Sequence, residues 1–324
     1  MGKEKGNRAS GSAVFAEPIE TDNIALQRAE RSCLANQAAE VLQAQVLELI
    51  HYPATGATRA GLHLLFVHGA YSSASCWQPH FLPWFSRQGY DCWAVSLRGH
   101  GNSPDRRHLQ QYAIADYVND VAWACGQLAQ PAVLIGHSMG GFVLQQYLRQ
   151  HSAAATILLA SVPPGGLLAS TWRLGLTAPD ILLVLNLFQQ GRYQPTAEEI
   201  RRMLLSPDAS LESARWLAAN LQVESQRAVL DMTLTTALFA RRLPCPALSI
   251  VGCSDLLVSR LEAESGGLLL GVDTLALPDV AHMLMLDTRW QCVADSMHSW
   301  LSTRFSRPVT DNGGLAGGPI YPGS

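Results

Sequence analysis

The chain is 324 residues long, 48% hydrophobic and 15% charged, a balance that supplies a sizeable core and excludes a mostly disordered chain. Its formal net charge is −3, and the paired arginines (Arg106–Arg107, Arg201–Arg202, Arg241–Arg242) stand isolated, so nucleic acid is not expected as a partner. Seven cysteines with no C-x-x-C pair form neither a disulfide framework nor a zinc site, and they read as small buried apolar residues.

Residues 1–22 are polar and Gly/Ser-rich and read as a disordered arm without a signal-peptide core. Strand-like and helix-like segments then alternate. Strands are expected at 44–52, 62–69 and 90–101, with a helical pattern at 73–89 interrupted by Pro79 and Pro83, and an amphipathic helix at 113–129. Further strands are expected at 132–135, 155–164, 245–255 and 272–282, a closing helix at 289–305, and a disordered Gly/Pro-rich tail at 307–324. Such alternation implies an α/β fold: a mainly parallel central sheet with helices on both faces. Residues 164–243 carry only helix-like segments rich in Leu, Ala and Trp. An insertion of that size must sit at the end of the sheet, and the carboxyl end is where such sheets bind ligands. It is therefore expected to be a helical cap over a core of 23–163 and 244–306. No segment is long and apolar enough to span a bilayer; the best, 180–188, is too short. A soluble, cytoplasmic protein is expected.

In "VLIGHSMGGFVLQQYL", residues 133–148, a buried strand stops at Ser138, which Gly136 and Gly140 flank, and helical spacing resumes at Phe142. A strand that turns into a helix within a few residues is crowded, and glycine removes the Cβ atoms that would clash. The pattern G-x-S-x-G in that context is a nucleophile elbow. A serine hydroxyl needs a base, and the base needs an orienting group. Of the three histidines after Ser138, His151 ends the elbow helix and His298 lies in the closing helix with a surface role, whereas His282 follows the last strand. His282 is therefore the expected base. Asp255, in the loop after the strand ending at Gly252, is the expected acid; Asp273, Asp279 and Asp287 are its rivals, with Asp287 read as a helix N-cap. Acyl transfer also needs N–H donors for an oxyanion. These are expected from Met139, at a helix N-terminus, and from Ala70, after Gly69; Tyr71 is the alternative donor or a residue lining the substrate pocket. Trp216 and Glu224 are candidates to line a pocket, but read more simply as parts of a helix with one apolar and one polar face.

The segments "FVHGAY", "SLRGHGNS", "IGHSMGG", "VGCSDLLV" and "DVAHMLML" occur in the order and rough spacing of the α/β-hydrolase fold superfamily, which the chain resembles over about residues 45–305. The resemblance implies Ser138 as nucleophile, Asp255 as acid, His282 as base, and Ala70 and Met139 as oxyanion donors. It gives "RGHGNS" a shaping role beside the site. The serine departs from relatives with an aspartate nucleophile, and the long "HGGG" loop of some lipases is absent. The implied activity is that of a serine hydrolase of the esterase or lysophospholipase kind, acting on a small-molecule ester with an apolar acyl group and needing no metal or organic cofactor. The same triad also serves cofactor-free perhydrolases or haloperoxidases, C–C bond hydrolases and acyltransferases. A ligand sensor with a retained triad is the alternative of another class.

Overall fold

The structure is a computed structural model that describes residues 46–55 and 62–305. The expected arm at 1–22 and tail at 307–324 lie outside the described residues. Every element below lies within residues 47–305.

Seven strands form one sheet: β1 (Leu49–Tyr52), β2 (His63–Val67), β3 (Asp91–Val95), β4 (Ala132–His137), β5 (Ala155–Leu159), β6 (Ala247–Gly252) and β7 (Asp273–Leu277). Their order is β1-β3-β2-β4-β5-β6-β7. β1 pairs antiparallel with β3, and all other pairings are parallel. The central strands β4 and β5 are buried along their whole length, and apart from His137 and Thr156 they are built of apolar residues and glycine, as burial on both faces requires. The edge strand β7 instead alternates, with Asp273, Leu275 and the residues between them variously exposed.

Helices α1 (Phe81–Arg87), α2 (Ile114–Gly126) and α3 (Met139–Tyr147) belong to the first half of the sheet. Five more, α4 (Leu168–Thr177), α5 (Pro179–Gln189), α6 (Ala197–Leu204), α7 (Leu211–Asn220) and α8 (Gln226–Leu234), lie between β5 and β6 with no strand among them. The chain then continues through α9 (Arg260–Leu270) to α10 (Trp290–Arg304). Because side chains alternate along a strand, the sheet splits the core. Leu64, Phe66, Val133 and Ile135 share one cluster with Phe81 and Phe85 of α1 and Val293 and Met297 of α10. Leu65, Val67 and Leu134 share the other with Tyr117 and Val121 of α2 and Phe142 and Val143 of α3. Each large apolar side chain so buried stabilises the fold by about 1.5–3 kcal/mol.

The proline-interrupted pattern at 73–89 resolves into a short 3-10 helix, Ala74–Trp77, and then α1. Pro79 stands between them. Pro83 is the third residue of α1, where the backbone N–H has no intrahelical partner to lose. Burial of the cysteines holds for Cys76 and Cys92 but not for Cys253 and Cys292, which are exposed. Among the described residues no helix is long and apolar enough to cross a membrane.

Candidate active site

The carboxyl ends of β2, β4, β6 and β7 deliver the residues that the motifs single out. At the end of β4 the chain reverses into α3 through Ser138, whose φ is 49° and ψ −115°. Such backbone is costly for a residue with a Cβ, by about 1–3 kcal/mol. It is held by the Ser138 N–H donating to Leu159 O (2.9 Å) and by Ser138 O accepting from Phe142 and Val162 N–H (3.2 Å each). A Cβ on Gly136 would lie 2.7 Å from backbone atoms of Gly140 and Gly141, and one on Gly140 would strike the carbonyls of Val67 and His68. Only glycine lets β4, α3 and the end of β2 approach this closely.

His282 follows β7, and its Nδ1–H donates to Asp255 Oδ2 at 2.8 Å. The other carboxylate oxygen, Oδ1, accepts from the Leu257 and Val258 N–H groups at 2.8 and 3.0 Å. Both side chains are buried, and in a neutral ring the bond places the proton on Nδ1 and leaves the Nε2 lone pair unused. Two backbone bonds, Cys253 N–H to Leu277 O and Ser254 N–H to Val280 O, hold the two loops together. His137, the residue before Ser138, donates its Nε2–H to the His282 carbonyl at 2.9 Å. Burial, with His282 beside it, keeps His137 well below the ordinary histidine pKa, so it stays neutral.

The rival residues stand elsewhere. Asp273 is exposed at the start of β7, and Asp279 pairs with Arg289 at 3.4 Å on the surface. Asp287 is not the N-cap of the closing helix, which begins after Arg289. Its buried carboxylate instead accepts from Ser206 N–H (2.9 Å), Ser206 Oγ–H (2.6 Å) and Ala281 N–H (3.1 Å). Two of these bonds come from Ser206 in the insertion and the third from the residue before His282. His151 stacks on Tyr147 at the surface. His298 is half-buried rather than superficial, with Nδ1 3.1 Å from Tyr90 Oη.

Beyond β2, the Leu97 N–H donates to His68 Nε2 (3.0 Å), so His68 carries its proton on Nδ1 and donates it to Gly69 O (2.8 Å). A trans peptide points its C=O and N–H in opposite directions, so fixing Gly69 O also fixes the Ala70 N–H. Among the described residues neither the Ala70 nor the Met139 N–H has a hydrogen-bond partner. Ala70, Ser138, Met139 and His282 all line one cavity of about 320 Å³. Leu174, Leu185, Phe188, Met203 and Met232, all from the insertion, make most of its remaining wall apolar. Tyr71 lines it too, with its ring 5.7 Å from that of Phe188.

A family model described as the alpha/beta hydrolase family matches residues 64–294. The chain belongs to this family. A non-heme haloperoxidase of Rhodococcus erythropolis is 31% identical over 109 residues, 32% of this chain and 39% of that protein. Protein phosphatase methylesterase 1 of Mus musculus is 36% identical over 98 residues, 29% of this chain and 24% of that one. The matches thus reach less than half the length of either relative. A thermophilic esterase from Thermogutta terrifontis shares the fold with a TM-score of 0.62 at 19% identity, covering 79% of this chain and 94% of that one.

In this member of the alpha/beta hydrolase family, a second polar cluster lies beside the cavity and was not legible as a motif. His100, from the "RGHGNS" loop, faces two acceptors: Nδ1 meets Arg98 O and Nε2 meets Glu224 Oε2, each at 3.0 Å. Despite burial, the Glu224 carboxylate raises the His100 pKa, which favours a proton on both ring nitrogens and an ion pair between two fully buried side chains. Tyr117 Oη–H (2.7 Å) and Ser225 N–H (2.7 Å) satisfy the other oxygen of Glu224. Glu224 thus lies in the loop before α8, not on a polar helix face, and Trp216 does not line the cavity. The one local signal was a carboxylate among small polar residues, "VESQ", which is equally the mark of an exposed helix start.

Proposed function

We propose that the protein hydrolyses a carboxylic ester with an apolar acyl group, with Ser138 as nucleophile, His282 as base and Asp255 as its orienting acid. The observation that carries this reading is the convergence of two unpartnered amides, Ala70 N–H and Met139 N–H, with Ser138 and His282 on one apolar cavity. Ser138 Oγ bonds to the ester carbonyl carbon while its proton passes to His282 Nε2. The oxyanion so formed is stabilised by the two amides, which need not reorganise to meet it. When the C–O bond breaks, His282 returns the proton to the leaving alcohol. Water then attacks the acyl-enzyme by the reverse route and releases the acid. Asp255 stabilises the transient imidazolium without taking its proton. Residues 164–243 act in this reading as a cap that encloses the acyl chain and keeps bulk water from the acyl-enzyme. The esterase of the same fold and the methylesterase relative support ester chemistry.

The test is labelling by a fluorescent fluorophosphonate, followed by turnover of p-nitrophenyl esters with two to sixteen carbons. Wild type labels rapidly, Ser138→Ala not at all, and His282→Ala at least 100-fold more slowly, as expected of an activated serine. Equal labelling of wild type and Ser138→Ala would place the nucleophile elsewhere, and no labelling of folded wild type would remove the reading in favour of a ligand sensor.

A further inference from the structure

The loop from Gly69 to Ser73 has one exacting task in the reading above, to aim the Ala70 amide, and it bends through a positive φ of 64° at Tyr71. Its carbonyls are held from outside. His68 binds Gly69 O from the core side. From the insertion, the Gln222 backbone N–H donates to Tyr71 O at 3.1 Å, and Gln222 Nε2–H donates to Ser72 O at 2.6 Å. Gln222 Oε1 also accepts the Gly101 N–H at 3.4 Å. One buried glutamine thus joins the insertion, the Gly69–Ser73 loop and the loop that carries His100.

Gln222 is itself anchored. Two residues on, the Glu224 carboxylate is locked between His100 and Tyr117. The Glu224 backbone exchanges two bonds with the Gln189 side chain, at 2.7 and 3.3 Å. Moving this segment would strand a buried charge, which is far costlier than breaking an exposed contact. Burial and the neighbouring His100 charge hold the His68 pKa down at about 3, so the inner partner remains a neutral donor at ordinary pH.

We propose that Gln222 is a positioning residue for the Ala70 amide, with Glu224 as its anchor: the segment 222–225 and the His68 side chain clamp the Gly69–Ser73 loop from opposite sides. The proposal rests on the reading of Ala70 as an oxyanion donor. It makes the insertion part of the transition-state machinery as well as a wall of the cavity.

The test compares the full-length wild type with Gln222→Ala and with Gln222→Met, which keeps the volume and loses the amide. Four readouts are taken: kcat and KM on a p-nitrophenyl ester, inhibition by an alkyl boronic acid, thermal midpoint, and amide hydrogen exchange over residues 69–77. A misplaced donor costs about 10–100-fold. Expected are a kcat lower by that factor, a KM within about threefold, and boronate inhibition weakened in proportion to kcat. Exchange over 69–77 should be faster by about tenfold, with β4 unchanged and both variants folded. A general packing defect would instead lower the midpoint and leave kcat of the folded protein intact. Wild-type kcat and wild-type exchange in either folded variant would overturn the proposal. Should wild type turn over no ester, the functional reading falls by itself, and exchange still decides the clamp: faster at 69–77 upholds it, unchanged overturns it.

Discussion

Ser138, the nucleophile of the proposed mechanism, sits on backbone that disfavours any side chain. At φ 49° and ψ −115° its Cβ is the source of the strain, and glycine alone would be at ease there. Ser138→Gly should therefore be more stable than Ser138→Ala by about 1 kcal/mol, both lacking the nucleophile. Urea unfolding of the pair measures this, and equal midpoints would mean that the elbow stores no strain. Asp255 supplies the second residue-level test. Asp255→Asn keeps the shape but presents an amide where His282 Nδ1–H needs a carboxylate. On the triad reading kcat should drop by about 10³–10⁴-fold while the protein stays folded. A loss below tenfold would remove Asp255 from that role.

The elements follow from local pattern where one face or both are buried, and depart from it where a proline or a distant partner intervenes. The mostly apolar runs of β4 and β5 and the helical spacing of α2 were legible because burial period and secondary-structure period coincide. The closing helix begins where its spacing predicts, but Asp287 is not its cap: the residue has capping chemistry, yet its carboxylate meets Ser206, 81 residues away. No local rule contains that distance. Asp287→Ala leaves the Ser206 and Ala281 amides buried without partners, and should lower the unfolding free energy by about 3 kcal/mol. Because Ala281 precedes His282, loss of activity should accompany it. A denaturation midpoint like that of wild type would show that those amides find other partners.

In the molecule as a whole, the insertion is fastened to the core at charged points: Arg173 on Glu262 (3.1 Å), Ser206 on Asp287, and His100 on Glu224. The last gives stability a pH signature. Despite burial, the attraction of Glu224 raises the His100 pKa above 6.5, and His100 with its hydrogen bonds holds Glu224 below 4.5. A raised histidine stabilises fully below its unfolded value and loses that contribution as pH climbs through the folded one. A lowered carboxylate stabilises fully above its unfolded value and loses it as pH falls through the folded one. The pair therefore contributes in full between about pH 4.5 and 6.5, with His68, Tyr71, Tyr117 and Arg106 among the titratable or charged groups acting on His100 or Glu224. Glu224→Gln should flatten the thermal midpoint against pH on both sides of that window. A profile of wild-type shape would mean that the pair does not titrate with unfolding.

The order of strands and helices, the glycine-flanked serine, and the positions of Ser138, Asp255, His282, Ala70 and Met139 as candidates were readable from the chain. Each depends on neighbours within a few residues: a strand end, a tight turn, a helix start. Folding alone decided which groups answer one another across the cavity. Gln222 reaches Ser72 over 150 positions, and Glu224 reaches His100 over 124. A buried polar side chain is satisfied by whatever acceptor or donor the tertiary fold brings to it, and a linear pattern does not record that meeting.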